Sequence, residues 1–151
     1  MDNTMKQYPI GTISQLVEDS FSTAMKKGWH DPEHPRTVGE LIALMHSELS
    51  EALEEYRDDQ PVDKVYYEYH GCLPVPGSEK PLEFTTKDKQ SVPAAGVVTS
   101  EKPCGLPIEL ADCIIRIADF CGKHGIDLVD AINLKAAYNK TRPIRHGGKK
   151  I

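Results

Sequence analysis

Two short acidic motifs, Glu48-x-x-Glu51 and Glu109-x-x-Asp112, offer the most direct chemistry in this sequence. On a helix, residues three and four apart share a face. Glu55 therefore continues the face of Glu48 and Glu51, while Glu54 points further toward solvent. Arg116 shares the side of Glu109 and Asp112, with Asp119 adjoining. If the two helices pack side by side, four carboxylates meet, and their repulsion calls for a positive partner. Mg2+ suits them, because it takes hard oxygen ligands and keeps positions for water and a substrate phosphate. Thiols and imidazoles would point instead to zinc or copper. No His follows either motif at the Glu-x-x-His spacing of carboxylate-bridged di-iron bundles. A Glu-x-x-Glu pair is also common on solvated helix faces. Glu109 and Asp112 are the more telling pair, because the helix around them is otherwise almost wholly apolar.

A second constellation is basic. Lys135, Asn139 and Arg142 recur at helical spacing, and His146, Gly147, Gly148, Lys149 and Lys150 follow. Arg and Lys hold phosphate oxygens by charge and hydrogen bonds, and a Gly-Gly pair lets backbone N–H groups approach an anion closely. The alternative is a solvated basic tail. Trp29, after Gly28, is read as core or hinge packing or as a platform for a stacked base. His30, His34 and His46 have no nucleophile at a meaningful spacing, and the chain carries no phosphate-binding or dinucleotide glycine fingerprint.

Four helices must position these groups. Apolar periodicity predicts the first over about Ile13 to Lys27, with a capping box at Thr12 and Gln15 and a stop at Gly28. The second follows Thr37-x-x-Glu40, again a capping box, and ends among Arg57 to Pro61. The third starts near Pro107 and runs to Gly122 or Gly125; its wide apolar arc predicts burial on most sides. The fourth is capped by Asp127 and runs to about Thr141, where Pro143 prevents continuation. Between the second and third, about 59–105, Pro and Gly are frequent and helical periodicity is absent. Val65–Tyr69 and Leu82–Thr86 are read there as two paired strands.

The length of 151 residues suits one domain, and a net charge of -5 argues against a general nucleic-acid binder. No stretch is long and apolar enough for a membrane span, and no N-terminal signal is seen, so a cytoplasmic, membrane-free protein is expected. Cys113 and Cys121 fall in an apolar helical pattern and read as buried free thiols. A zinc site from His70, Cys72 and Cys104 lacks the usual Cys-x-x-Cys pair.

The run Gly39–Tyr56, with Ile108–Asp119 and the tail Lys135–Lys149, resembles the MazG-like all-α nucleoside triphosphate pyrophosphohydrolases. The resemblance implies an all-α, four-helix bundle, here one domain over 1–151 with a small irregular or β-containing insert at about 59–105. It implies Glu48, Glu51, Glu109 and Asp112 as Mg2+ ligands, and attack of water at the α-phosphorus of a nucleoside triphosphate to give monophosphate and pyrophosphate. It also implies nucleotide contacts from Lys135, Asn139 and Arg142, and chains that pair as a homodimer or homotetramer. Arg116, Trp29, His146 and Lys149 are further candidates for the substrate; Arg116 is alternatively structural, paired with Asp112 or Asp119. Glu51 or Glu55 is the nearest proton acceptor for the attacking water. The long insert is the departure from the family pattern, and substrate preference hangs on it. The competing readings are a non-catalytic nucleotide-binding module and a helical protein-interaction module.

Overall fold

The computed structural model describes residues 12–143. Along the chain come α1 (Ile13–Lys26), α2 (Val38–Arg57), β1 (Tyr66–Leu73), β2 (Leu82–Thr86), a 3-10 turn at Lys89–Ser91, β3 (Val97–Cys104), α3 (Leu106–His124) and α4 (Leu128–Thr141). The chain divides into two compact units. One is formed by the chain up to Leu41 with the chain from Ile115 onward, the other by Ile42–Ile114.

In the first unit local signals set the helix boundaries. Thr12 accepts from the Gln15 N–H at 3.1 Å to start α1. In the Thr37 capping box, the Thr37 N–H donates to Glu40 Oε2 at 2.6 Å and the Glu40 N–H to Thr37 Oγ1 at 3.2 Å. Asp127 caps α4 by accepting from the Asp130 N–H at 2.9 Å. Gly28 and Gly125, at φ 73° and 63°, end α1 and α3. Each is followed by a residue whose N–H reaches back a full turn, Trp29 to the Ala24 carbonyl and Ile126 to that of Cys121. Most residues buried in this unit are small, Ser20, Ala24, Ala118 and Cys121, alongside Leu41 and Asp119. Small size permits close approach, and a Cβ on Gly122 would stand 2.6 Å from the Cβ of Phe21. Helix α4 touches α1 but is exposed over Asp130–Thr141.

The second unit holds α2 from Ile42, the three strands, and α3 up to Ile114. Asp59, at φ 55°, ends α2 as glycine ends α1 and α3, with the Gln60 N–H on the Glu55 carbonyl at 3.2 Å. The strands form an antiparallel sheet in the order β2-β1-β3. Tyr69 faces Thr86 and Leu73 faces Leu82 on one side of β1; Tyr66 faces Cys104 and Cys72 faces Val97 on the other. The register shifts between His70 and Gly71. Gly71 is buried beneath Phe84 and the Val97 carbonyl, where a Cβ would meet the carbonyl oxygen at 2.2 Å and the ring at 2.6 Å.

Two expectations are corrected here. The fold is mixed α/β rather than all-α: helix covers 53% and strand 16% of the described residues. The β-containing insert that was expected is present as a three-stranded sheet, in which two ladders along β1 pair backbone groups that an irregular loop would leave to water. The second correction concerns α3, which is not buried on most sides. Leu110, Ile114 and Ile115 are 42%, 54% and 39% exposed, so only one stripe of its apolar arc is covered within the chain.

Candidate metal centre

The acid cluster belongs to the second unit. Glu48 comes from α2, Glu109 and Asp112 from the first turns of α3, and one carboxylate oxygen of each lies within 4.8 Å of the others. Glu48 and Glu109 are only 4% and 5% exposed, and Asp112 is half-buried. Several details bring the helices to this arrangement. Ala52 is buried one turn past Glu48. The Cys113 thiol donates to the Met45 carbonyl at 3.6 Å, tying α3 to α2 beside the acids. Gly105 starts α3 with its carbonyl accepting from the Ile108 and Glu109 N–H groups. A Cβ on Gly105 would lie 2.3 Å from the Lys64 carbonyl oxygen, so the chain passes there with no room for a side chain.

Burial pushes the Glu109 carboxyl above its ordinary range. The charge of Glu51 adds to this, Lys102 of β3 opposes it, and Asp112 and Glu48 contribute further. A buried oxygen set of this kind is electrostatically unfavourable alone and is relieved by a proton or by a hard cation. Its donor chemistry, carboxylate oxygen throughout, fits Mg2+ better than a softer metal.

Glu51 is exposed and lies outside the three-residue cluster, though its charge reaches Glu109. Glu55 is half-buried, and Tyr66 of β1 donates to its Oε1 at 2.7 Å. Glu54 is exposed and paired with Arg57. His70, Cys72 and Cys104 are spread along β1 and β3, with Cys104 opposite Tyr66 and Cys72 opposite Val97, at the two ends of one ladder. All four cysteines are free.

The remaining candidates fall in the first unit. Trp29 is 52% exposed, and the Arg116 guanidinium lies 6.0 Å from its ring centroid. Both line a cavity of about 430 Å³ whose walls include Leu16, Ala24, Ile115 and Asp119. Lys135 and Arg142 approach the Tyr138 ring at 5.0 and 5.8 Å from its centroid. Arg142 does so from the extended residue that caps α4. Asn139 is exposed on the same helix. His146 and Lys149 lie outside the described residues.

Sequence reasoning missed four residues. Tyr66 meets Glu55, and Lys87 meets the Tyr66 hydroxyl, only through strand placement, and no spacing in the sequence signals it. Lys102, whose charge bears on Glu109, sits in a strand not foreseen. His30, for which no catalytic partner was found by spacing, has its Nε2 2.7 Å from Asp119 Oδ1. Comparison with protein-family models, curated proteins and solved structures finds no match.

Proposed function

We propose that the chain is a Mg2+-dependent nucleoside triphosphate pyrophosphohydrolase of the MazG-like kind. One observation carries the reading: Glu48 and the Glu109/Asp112 pair, far apart in sequence, converge within 4.8 Å in a buried position. A hard cation gives such acids a reason to converge out of water.

When bound, Mg2+ supplies charge neutralisation at phosphate oxygens and lowers the pKa of a water. The chain's own part is to orient. Glu48, Glu109 and Asp112 hold the cation, with Glu51 at the rim as a fourth ligand or as a proton acceptor. Glu55 is the other acceptor, held by Tyr66. Lys135, Asn139, Arg142, Arg116 and Trp29 are the nucleotide contacts in this reading.

Assembly of two or more copies is part of the same proposal. Leu49, Leu53 and Tyr56 on α2 and Leu110 and Ile114 on α3 are large, apolar and exposed, as are Leu134 and Tyr138 on α4. Apolar exposure on this scale marks interaction surfaces. No helix among the described residues is long and apolar enough to cross a membrane.

The deciding experiment is a pyrophosphate-release screen over canonical and modified nucleoside triphosphates with Mg2+. Monophosphate and pyrophosphate are the expected products. Release of single phosphate with a diphosphate left behind would replace this chemistry with another. Full activity in a Glu109→Gln, Asp112→Asn double variant would remove the site.

A further inference from the structure

The third strand brings a cation to the start of α3. Tyr66, Glu68 and His70 alternate onto one face of β1, and the residues opposite them on β3 are Cys104, Lys102 and Ser100. Directly opposed residues of an antiparallel pair share a face. Lys102 therefore projects on the same side as Tyr66, whose hydroxyl reaches Glu55 of α2 at 2.7 Å, and as the buried Cys104. Two hydrogen bonds fix the short path from Lys102 to the acids. The Cys104 thiol donates to the Lys102 carbonyl at 3.6 Å, and the Gly105 carbonyl accepts from the Glu109 N–H at 3.2 Å. Gly105, at φ 110°, makes the turn from β3 into α3 within a single residue.

Neighbouring lysines are already engaged. Lys64 Nζ donates to Gln60 Oε1 and Lys87 Nζ to the Tyr66 hydroxyl, each at 3.1 Å, and Lys89 lies 3.9 Å from Glu101. Glu68, opposite Lys102, has Lys87 and His70 each 3.8 Å away. Lys102 itself is exposed and makes no ion pair among the described residues. Its charge works against the rise of the Glu109 pKa, in keeping with its place beside the acids.

A single Mg2+ does not neutralise three carboxylates, so the loaded cluster still repels a polyphosphate. An unpaired ammonium on a long stem offsets that repulsion and can meet phosphate oxygens as a point charge. We infer that Lys102 is a phosphate-contact residue, which takes the β- and γ-phosphates of the substrate at the mouth of the acid cluster. The inference rests on the pyrophosphohydrolase reading above, and it makes the sheet a part of substrate binding. In the step of that reading, the water oxygen bonds to the α-phosphorus and its proton passes to a carboxylate. The bond to the bridging oxygen breaks, and its electron pair leaves with pyrophosphate, where the Lys102 ammonium meets the added charge.

The test compares Lys102→Met and Lys102→Arg with the parent on the full chain. Calorimetry at saturating Mg2+ uses three probes: inorganic pyrophosphate, a nucleoside triphosphate with a methylene in place of its α,β-bridging oxygen, and the monophosphate. Lys102→Met is expected to weaken the first two roughly tenfold and to leave the monophosphate within about twofold. Lys102→Arg should recover most of the loss, since it keeps the charge. In turnover, kcat/KM for pyrophosphate release should fall by a similar factor in Lys102→Met. Lys102→Gln repeats the comparison should Lys102→Met fold poorly. An equal loss for the monophosphate would overturn the assignment to the β- and γ-phosphates. Unchanged triphosphate and pyrophosphate affinity, with tighter Mg2+ binding, would reduce Lys102 to a counter-charge for Glu109 and overturn it as well. Both outcomes leave the pyrophosphohydrolase reading standing. Absence of pyrophosphate release from the unmodified protein removes both.

Discussion

His30 Nε2 lies 2.7 Å from Asp119 Oδ1, and the two side chains are only 7% and 12% exposed. His30 follows the Schellman turn that ends α1 and packs its ring on Phe21 at 5.7 Å between centroids, while Asp119 comes from α3. Removing one partner strands the other out of water, which costs more than the pair contributes when intact. His30→Phe is expected to lose about 2–3 kcal/mol of unfolding free energy. Chemical denaturation of His30→Phe, Asp119→Leu should show much of that loss recovered. A double variant worse than the sum of the two singles would contradict it.

The acid cluster predicts a pH dependence. Because burial and neighbouring carboxylates raise Glu109 above its ordinary value, the folded chain binds its proton more tightly than the unfolded chain. Stability from this group is therefore complete below the ordinary carboxyl range and falls as pH rises through the raised value. With chelator present, the melting temperature of the parent should fall over that window, and Glu109→Gln should flatten the fall. A steeper dependence in Glu109→Gln would contradict the assignment.

Added Mg2+ should act in the opposite sense. A cation bound only by the folded state stabilises it by about 2.7 kcal/mol at a hundred times its dissociation constant. The thermal shift should appear in the parent at neutral pH and vanish in Glu48→Gln and in Asp112→Asn. Equal shifts in all three would place the ion elsewhere.

Gly71 offers a prediction for the sheet. An added methyl meets the Val97 carbonyl oxygen at 2.2 Å and the Phe84 ring at 2.6 Å, and the carbonyl is backbone. Gly71→Ala should lose at least about 2 kcal/mol. Phe84→Ala should fail to rescue it, because it clears the ring and leaves the carbonyl. Denaturant titration of the three variants decides this.

The helix ends were the most legible part of the fold, because a cap is a local event. Thr12, Thr37 with Glu40, Gly28 and Asp127 each act within a turn of their own position. Two strands were legible from their aromatic and β-branched residues. β3 was not, since Ser100, Glu101, Lys102 and Pro103 carry no strand signal and the segment owes its state to β1 alongside. The width of the apolar arc on α3 was misread as burial, because periodicity shows which residues are apolar and not what covers them. At the acid cluster, spacing found Glu48, Glu109 and Asp112 but could not separate them from Glu51, whose exposure depends on how the helices meet. Tyr66 on Glu55 was beyond reach, since it needs the strand's position.

With β1 central, β2 and β3 are both edges. An edge strand is a template for another chain, and proteins guard such edges with charge and proline. Over Glu101, Lys102 and Pro103 a pairing strand would press against two full charges and find no N–H on the proline. The residues that hid β3 from sequence reasoning are thus the ones that discourage its outer rim from recruiting a stray strand into an aggregate.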